Sequence, residues 1–192
     1  MTEIPLFPLS SIVMPGGLLP LRLFERRYLD MVTECFRDGT GFGVCLLKNG
    51  HEASGQGELY LRGTTVSIID FDQGSDGLLH ITAKGDKEFQ LLKHRQQEDG
   101  LFMGEVDFIT PGPKTEMSAD AEVLAGKLEL ILSYMEPSIQ YTDKYLDDAD
   151  WVCHRLLELL PLDPPSKMEI LDLPNNAERL AALASMRIEI SN

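Results

Sequence analysis

The sequence predicts an α+β chain in which a β-barrel carrying one inserted helix is followed by a helical bundle. Three observations lead there. Residues 1–113 are short apolar segments divided by glycine, proline and aspartate, the punctuation of strands and turns. A single stretch within them changes to the three- and four-residue spacing of a helical face. After Pro111-Gly112-Pro113 the texture becomes long helical periodicity up to the end of the chain. The division expected is therefore a barrel over 1–113 and a bundle over 114–192, with Thr110 to Thr115 as the linker.

Taken in order, Glu3 to Leu9 and Leu18 to Leu23 are candidate strands on either side of the Met14-Pro15-Gly16-Gly17 turn. Phe42 to Leu47, Thr64 to Phe71, Leu78 to Ala83, Glu88 to Lys93 and Phe102 to Ile109 follow. The alternation through Thr65-Val66-Ser67-Ile68-Ile69-Asp70-Phe71 implies one buried face, and Asp76-Gly77 is hairpin-turn chemistry. A closed or half-closed barrel accommodates such a series. The inserted helix is read from Phe24, Tyr28, Met31, Val32, Cys35 and Phe36, which share one face and stop at Gly39. Its aromatic face should cap the barrel.

In the second half, Ser118 is the expected N-cap of a helix whose apolar stripe runs from Val123 to Met135, ahead of Pro137. A second helix is expected from about Asp148 to Leu160. Pro164-Pro165 and Asn175-Asn176 open two more. Neither an internal repeat nor a low-complexity tract interrupts this pattern.

Composition narrows the function classes. Seventeen Lys and Arg against 31 Asp and Glu give a net charge of -14 over 192 residues. Such a surface repels phosphate backbones and anionic lipid, so neither nucleic acid nor membrane is the expected partner. The charge is spread over both halves, net -6 for 1–113 and net -8 for 114–192. Cys35, Cys45 and Cys153 are an odd number without CxxC spacing, each in an apolar segment, which fits a reducing compartment. The first residues have no basic region before an apolar run, and no apolar run nears the ~20 residues of a membrane span. The expected location is cytoplasmic.

Catalytic motifs are missing from the sequence. It holds no GxxxxGK[ST] phosphate loop and no GxSxG elbow. His51, His80, His94 and His154 lie in separate segments without metal-ligand spacing. Cys153-His154 resembles a thiol and its base, yet neighbours on a helix diverge by about 100°. Asp147-Asp148-Ala149-Asp150 is an acidic run at a helix start, where it complements the dipole. Gly41-Phe42-Gly43 and Gly55-Gln56-Gly57 have no strand-to-helix context and read as strand-edge and loop glycines. No catalytic residue, metal ligand or cofactor is assigned.

The order of segments is more specific. IPLFPL, a Pro-Gly turn, LPLRLFERRYLDMV and GFGVCLL resemble the N-terminal domain of Lon proteases, with its LPLxIFExRY strand-to-helix joint and FGV strand. Leu19 to Tyr28 carries the closest likeness. Gly63-Thr64, Val66 and Ile68, then Gly85 and Phe89, resemble that family's later GT and GxxRF strands, although Glu88 stands where the pattern has arginine. Trp151, Leu156, Leu159-Leu160-Pro161, Lys167, Leu171 and Arg179-Leu180 are similar to its helical part. The resemblance spans nearly the whole chain.

It implies a PUA-like barrel followed by helices, and a module that binds polypeptide segments or a partner protein. In full-length Lon, separate ATPase and Ser-Lys protease modules do the chemistry. This sequence ends where those would begin, so the resemblance is to stand-alone members. The alternatives are a hydrolase whose residues meet only in three dimensions, and an RNA reader of the PUA-like type, which the acidity disfavours.

Two residue sets are singled out. Phe24, Glu25, Arg27 and Tyr28 form the family signature and are read as structural, Phe24 and Tyr28 anchoring the helix and Glu25 taking Arg22 or Arg27 as partner. Tyr134, Met135, Tyr141 and Tyr145 surround Pro137 and are the candidate partner-binding surface. The competing reading of those four is that they fill space between the two halves. Oligomeric state is left open.

Overall fold

The chain divides into two compact units, Met1–Ile109 and Thr110–Asn192. The computed structural model describes residues 1–51, 56–135, 141 and 143–186. Gly55 and Pro137, both used in the sequence reading, lie outside the described residues.

Among the described residues the first unit holds six strands and one helix. They are β1 (Thr2–Leu9), β2 (Leu18–Leu23), α1 (Arg26–Asp38), β3 (Phe42–His51), β4 (Gln56–Gln73), β5 (Leu79–Gln96) and β6 (Phe102–Phe108). The sheet runs β2-β5-β4-β3-β1-β6 and closes because β6 also pairs with β5. β1 lies parallel to β3 and antiparallel to β6. β2 and β6 share one long neighbour, since β5 gives Leu79 to Lys84 to β2 and Phe89 to Gln96 to β6. Among the described strands β6 alone pairs with both β1 and β5, so the barrel is sealed along that half of β5.

Two expected strands, Leu78 to Ala83 and Glu88 to Lys93, are thus one strand of 18 residues. Gly85 and Asp86 read as a break, but the backbone continues through them. The reason is the Met14 to Gly17 turn, which docks on that point: Gly16 N–H donates to Gly85 O at 2.9 Å, and Gly85 N–H donates to Gly17 O at 2.8 Å. A Cβ at Gly85 would meet Met14 O at 2.1 Å. Gly85→Ala is accordingly expected to cost about 1–3 kcal/mol by forcing turn and strand apart. Chemical denaturation measures this, and an unchanged midpoint would contradict the docking.

Strand alternation sorts the apolar residues into two clusters. Leu6, Cys45, Leu59, Phe89, Leu91, Phe102 and Val106 form one. The next residue along β1 and the one before on β3, Phe7 and Val44, join Leu9, Phe42, Val66, Ile81 and Ala83 around α1. The helix presents Tyr28, Met31, Val32 and Cys35 to this second cluster. Gly39 ends it in the left-handed conformation (φ 63°), its N–H on Cys35 O.

The aromatic face expected for α1 differs from the observed one. Phe24 precedes the helix, whose N-cap is Glu25, and Phe24 is 64% exposed. Phe36 is exposed as well. Their spacing matches a helical face, but 3.6 residues per turn carries position 36 off the stripe and position 24 lies before the first turn.

The second unit contains α2 (Ala119–Tyr134), α3 (Ala149–Leu159), α4 (Pro164–Leu171) and α5 (Asn176–Ser185). Four side chains cap them, Ser118 as the sequence leads one to expect. Ser118, Asp148, Asp163 and Asn175 accept from backbone N–H groups of their first turns. Buried cations close the C-terminal ends of α3 and α4. Lys167 Nζ donates to Glu158 O in the last turn of α3, at 3.0 Å, and Arg179 donates to Leu171 O at the end of α4, at 2.7 Å. Each puts positive charge on the negative end of a helix dipole. Burial pulls Lys167 below the usual lysine pKa despite the opposing pull of Glu158.

Candidate functional site

The signature residues separate into scaffold and surface. Tyr28 is 4% exposed and stacks on Phe7 with ring centroids 4.1 Å apart. Buried Arg27 reaches from the start of α1 to Gly100 O at 2.8 Å, and pairs with Glu25 at 2.6 Å. Its guanidinium carbon lies 4.6 Å from the Tyr28 ring centroid. These contacts tie the strand-to-helix joint to the β5–β6 turn. Glu25 takes Arg27 as its partner, while Arg22 is held by Asp76 at 2.6 Å.

Phe24 points elsewhere. With Leu23, Leu29, Phe71, Leu78 and Leu79 it lines an open groove of about 520 Å³. Phe71 is 62% exposed and meets Phe36 edge-on at 5.1 Å, extending the apolar surface along α1. Ile69, two residues before Phe71 on β4, is exposed too. An exposed apolar surface of this extent is the usual mark of a binding site. A second cleft of about 270 Å³ adjoins it through Leu23 and Phe24, lined also by Phe7, Leu9, Pro20 and Tyr28.

The sequence reading missed Phe71 as a surface residue. Val66 and Ile68 lie on the buried face, opposite Gly85 and Ala83 of β5. The pairing of β4 with β5 then shifts register between Ile68 and Asp70 and sets Phe71 opposite Ile81, a bulge that re-aims the following side chains. Simple alternation along β4 therefore could not place Phe71.

Of the tyrosine set, the structure brings Tyr141 and Tyr145 together on Trp151, edge-on at 5.6 and 6.1 Å. Arg155 lies under Tyr141 and Trp151, its guanidinium carbon 5.3 and 5.7 Å from their ring centroids. Tyr134 is exposed at the last position of α2, and Met135 is that helix's C-cap.

Polar groups that might be taken for chemistry have local duties. Asp150 accepts from Thr115 N–H at 3.2 Å and from Asn176 at 2.8 Å, and Asn176 also faces His154 Nε2 at 3.3 Å. Burial pushes the Asp150 carboxyl up, but those hydrogen bonds outweigh it and hold it below the usual carboxylate range. Cys35, Cys45 and Cys153 are buried thiols. Burial raises the Cys45 pKa to about 12, which suppresses its nucleophilic form. Glu88, the departure from the family pattern, pairs with Arg62 of the neighbouring strand, whose Nε donates to it at 2.8 Å. Among the described residues no three His, Cys, Asp or Glu converge as a metal site, and no helix is long and apolar enough to cross a membrane.

Comparison with known proteins agrees with this architecture. Residues 3–186 match the model of the ATP-dependent protease La (LON) substrate-binding domain. Lon protease 2 of Myxococcus xanthus is 21% identical over 189 residues, 97% of this chain and 20% of that protein. Lon protease of Anaeromyxobacter dehalogenans is 25% identical over 100 residues, 51% of this chain and 12% of that protein. The chain thus spans about a fifth or less of these relatives. The crystal structure of a Lon N-terminal domain protein from Xanthomonas campestris superposes with a TM-score of 0.76 at 38% identity, covering 95% of this chain and 97% of that one. The N-terminal domain of a Mycobacterium avium complex Lon protease shares the fold at 15% identity, with a TM-score of 0.61 over 97% of this chain and 100% of that one. The chain belongs to the Lon substrate-binding domain family.

Proposed function

We propose that the chain holds exposed polypeptide segments in the groove at Phe24 and Phe71, and performs no chemistry on them. The observation carrying this reading is the pair of solvent-facing phenylalanines, Phe24 and Phe71, that line one largely apolar groove, with Phe36 continuing the surface. Aromatic rings offer large contact area at small entropic cost, and they dominate recognition surfaces. The family's substrate-binding description supports the same reading. Bound segments would contribute one or two large apolar side chains, since about 520 Å³ accommodates no more. Tyr134 and Tyr145 keep the partner-binding reading in the second unit, whereas Tyr141 is engaged with Trp151 and Arg155.

Fluorescence anisotropy with labelled apolar peptides tests the groove. Phe24→Ser combined with Phe71→Ser is expected to raise Kd at least tenfold, the effect of removing two interface anchors. An unchanged Kd would move the site elsewhere, and peptides that fail to bind at all would end the reading.

A further inference from the structure

The groove has apolar walls, but its charge is one-sided. Residues 69–79, which supply Phe71 and the hairpin wall, contain Asp70, Asp72 and Asp76 and no lysine or arginine. On the opposite wall each arginine is already matched. Arg22 pairs with Asp76 at 2.6 Å, Arg26 with Asp30 at 2.9 Å, Arg27 with Glu25 at 2.6 Å and Arg37 with Asp38 at 2.8 Å. Of the carboxylates on these two walls, Asp70, Asp72 and Glu34 are left over. Asp72 lines the groove itself. Asp70 Oδ1 accepts from Phe71 N–H at 3.0 Å and Asp72 Oδ1 from Gln73 N–H at 2.8 Å, which holds both carboxylates close to the β4 backbone on either side of Phe71. Each keeps a second oxygen for an incoming donor.

Resting on the proposed polypeptide-binding function, we infer that this groove selects apolar segments flanked by lysine or arginine over the same segments flanked by acids. The apolar anchor would occupy the space between Phe24 and Phe71, with a cationic neighbour reaching Asp72 or Asp70. The net charge of -14 draws such segments in from a distance. The same charge opposes a second copy of this chain as the occupant, because like-charged walls would face one another across the contact.

Three labelled peptides with one common apolar core, flanked by lysines, serines or glutamates, separate the possibilities. At low salt the lysine-flanked peptide is expected to bind about five- to tenfold tighter than the glutamate-flanked one, with the serine-flanked peptide between them. Raising the salt should shrink the preference. Asp70→Asn with Asp72→Asn should reduce it at least twofold, while the serine-flanked peptide binds as before. Equal affinities, or a preference that survives the double substitution, would overturn the inference. If the serine-flanked peptide still binds in a Phe24-dependent way, the binding function itself stands. Failure of all three peptides would remove both. Sedimentation showing a dimer that Phe71→Ser dissolves and peptide displaces would make the second copy the occupant and overturn the inference as well.

Discussion

Tyr28→Ala is expected to cost about 3–5 kcal/mol of folding stability, whereas Phe24→Ala, four positions earlier in the same signature, changes it by less than about 0.5 kcal/mol. Both are aromatic, and both sit in the strand-to-helix joint. Their difference is burial. Tyr28 is in the α1 cluster, stacked on Phe7, beside Met31 and Val32, and covered by the Arg27 guanidinium. Truncating it removes a large buried side chain and leaves a hole that its neighbours on β1 and β3 cannot close without shifting. Phe24 leaves no such hole, because most of its ring already faces water. Urea unfolding followed by circular dichroism measures both variants. The converse is expected in binding, where Phe24→Ala loses peptide affinity and retains the wild-type midpoint. Equal destabilisation by the two substitutions would place Phe24 in the scaffold and weaken the groove as the site.

That separation marks the boundary of what the sequence could convey. The helix starts at Asp148, Pro164 and Asn175, the cap at Ser118 and the stop at Gly39 were legible because each rests on local chemistry: a side-chain acceptor or a proline at a first turn, or a residue tolerant of positive φ. The paired use of β5 by β2 and β6 was not legible. It depends on the Met14 to Gly17 turn docking at Gly85, about seventy residues away along the chain. Phe24 was misassigned because periodicity cannot show where a helix begins, and Glu25 as N-cap places Phe24 outside it. Phe71 was hidden by a bulge, which changes the phase of a strand without changing its composition. The tyrosines had a visible composition but no visible partners, and Trp151 lies ten residues beyond Tyr141. The departure at Glu88 becomes intelligible only across strands, where Arg62 supplies the opposite charge.

The buried charge of the second unit gives the other large expected effect. Arg155 is 0% exposed, and Glu158, one turn on, holds it with two hydrogen bonds of 2.6 and 2.9 Å. Tyr141 adds its hydroxyl to the same carboxylate at 3.5 Å. Glu158→Ala would take from the buried guanidinium the carboxylate that receives two of its hydrogen bonds, and the expected loss is about 3–5 kcal/mol. Replacing Arg155 and Glu158 together by leucine should cost much less, since the desolvation of both charges disappears with them. Trp151 is the chain's single tryptophan and touches this cluster, so its fluorescence reports the unfolding of that unit directly. If Glu158→Ala costs under about 1 kcal/mol, the pair is not what holds Tyr141 and Trp151 in place. If instead the double leucine variant is the more damaged, packing of the two polar side chains outweighs their electrostatics. Either outcome bears on binding, because Tyr145 rests on the same tryptophan and is exposed: loosening Arg155 should disturb that surface while leaving the groove at Phe24 and Phe71 intact.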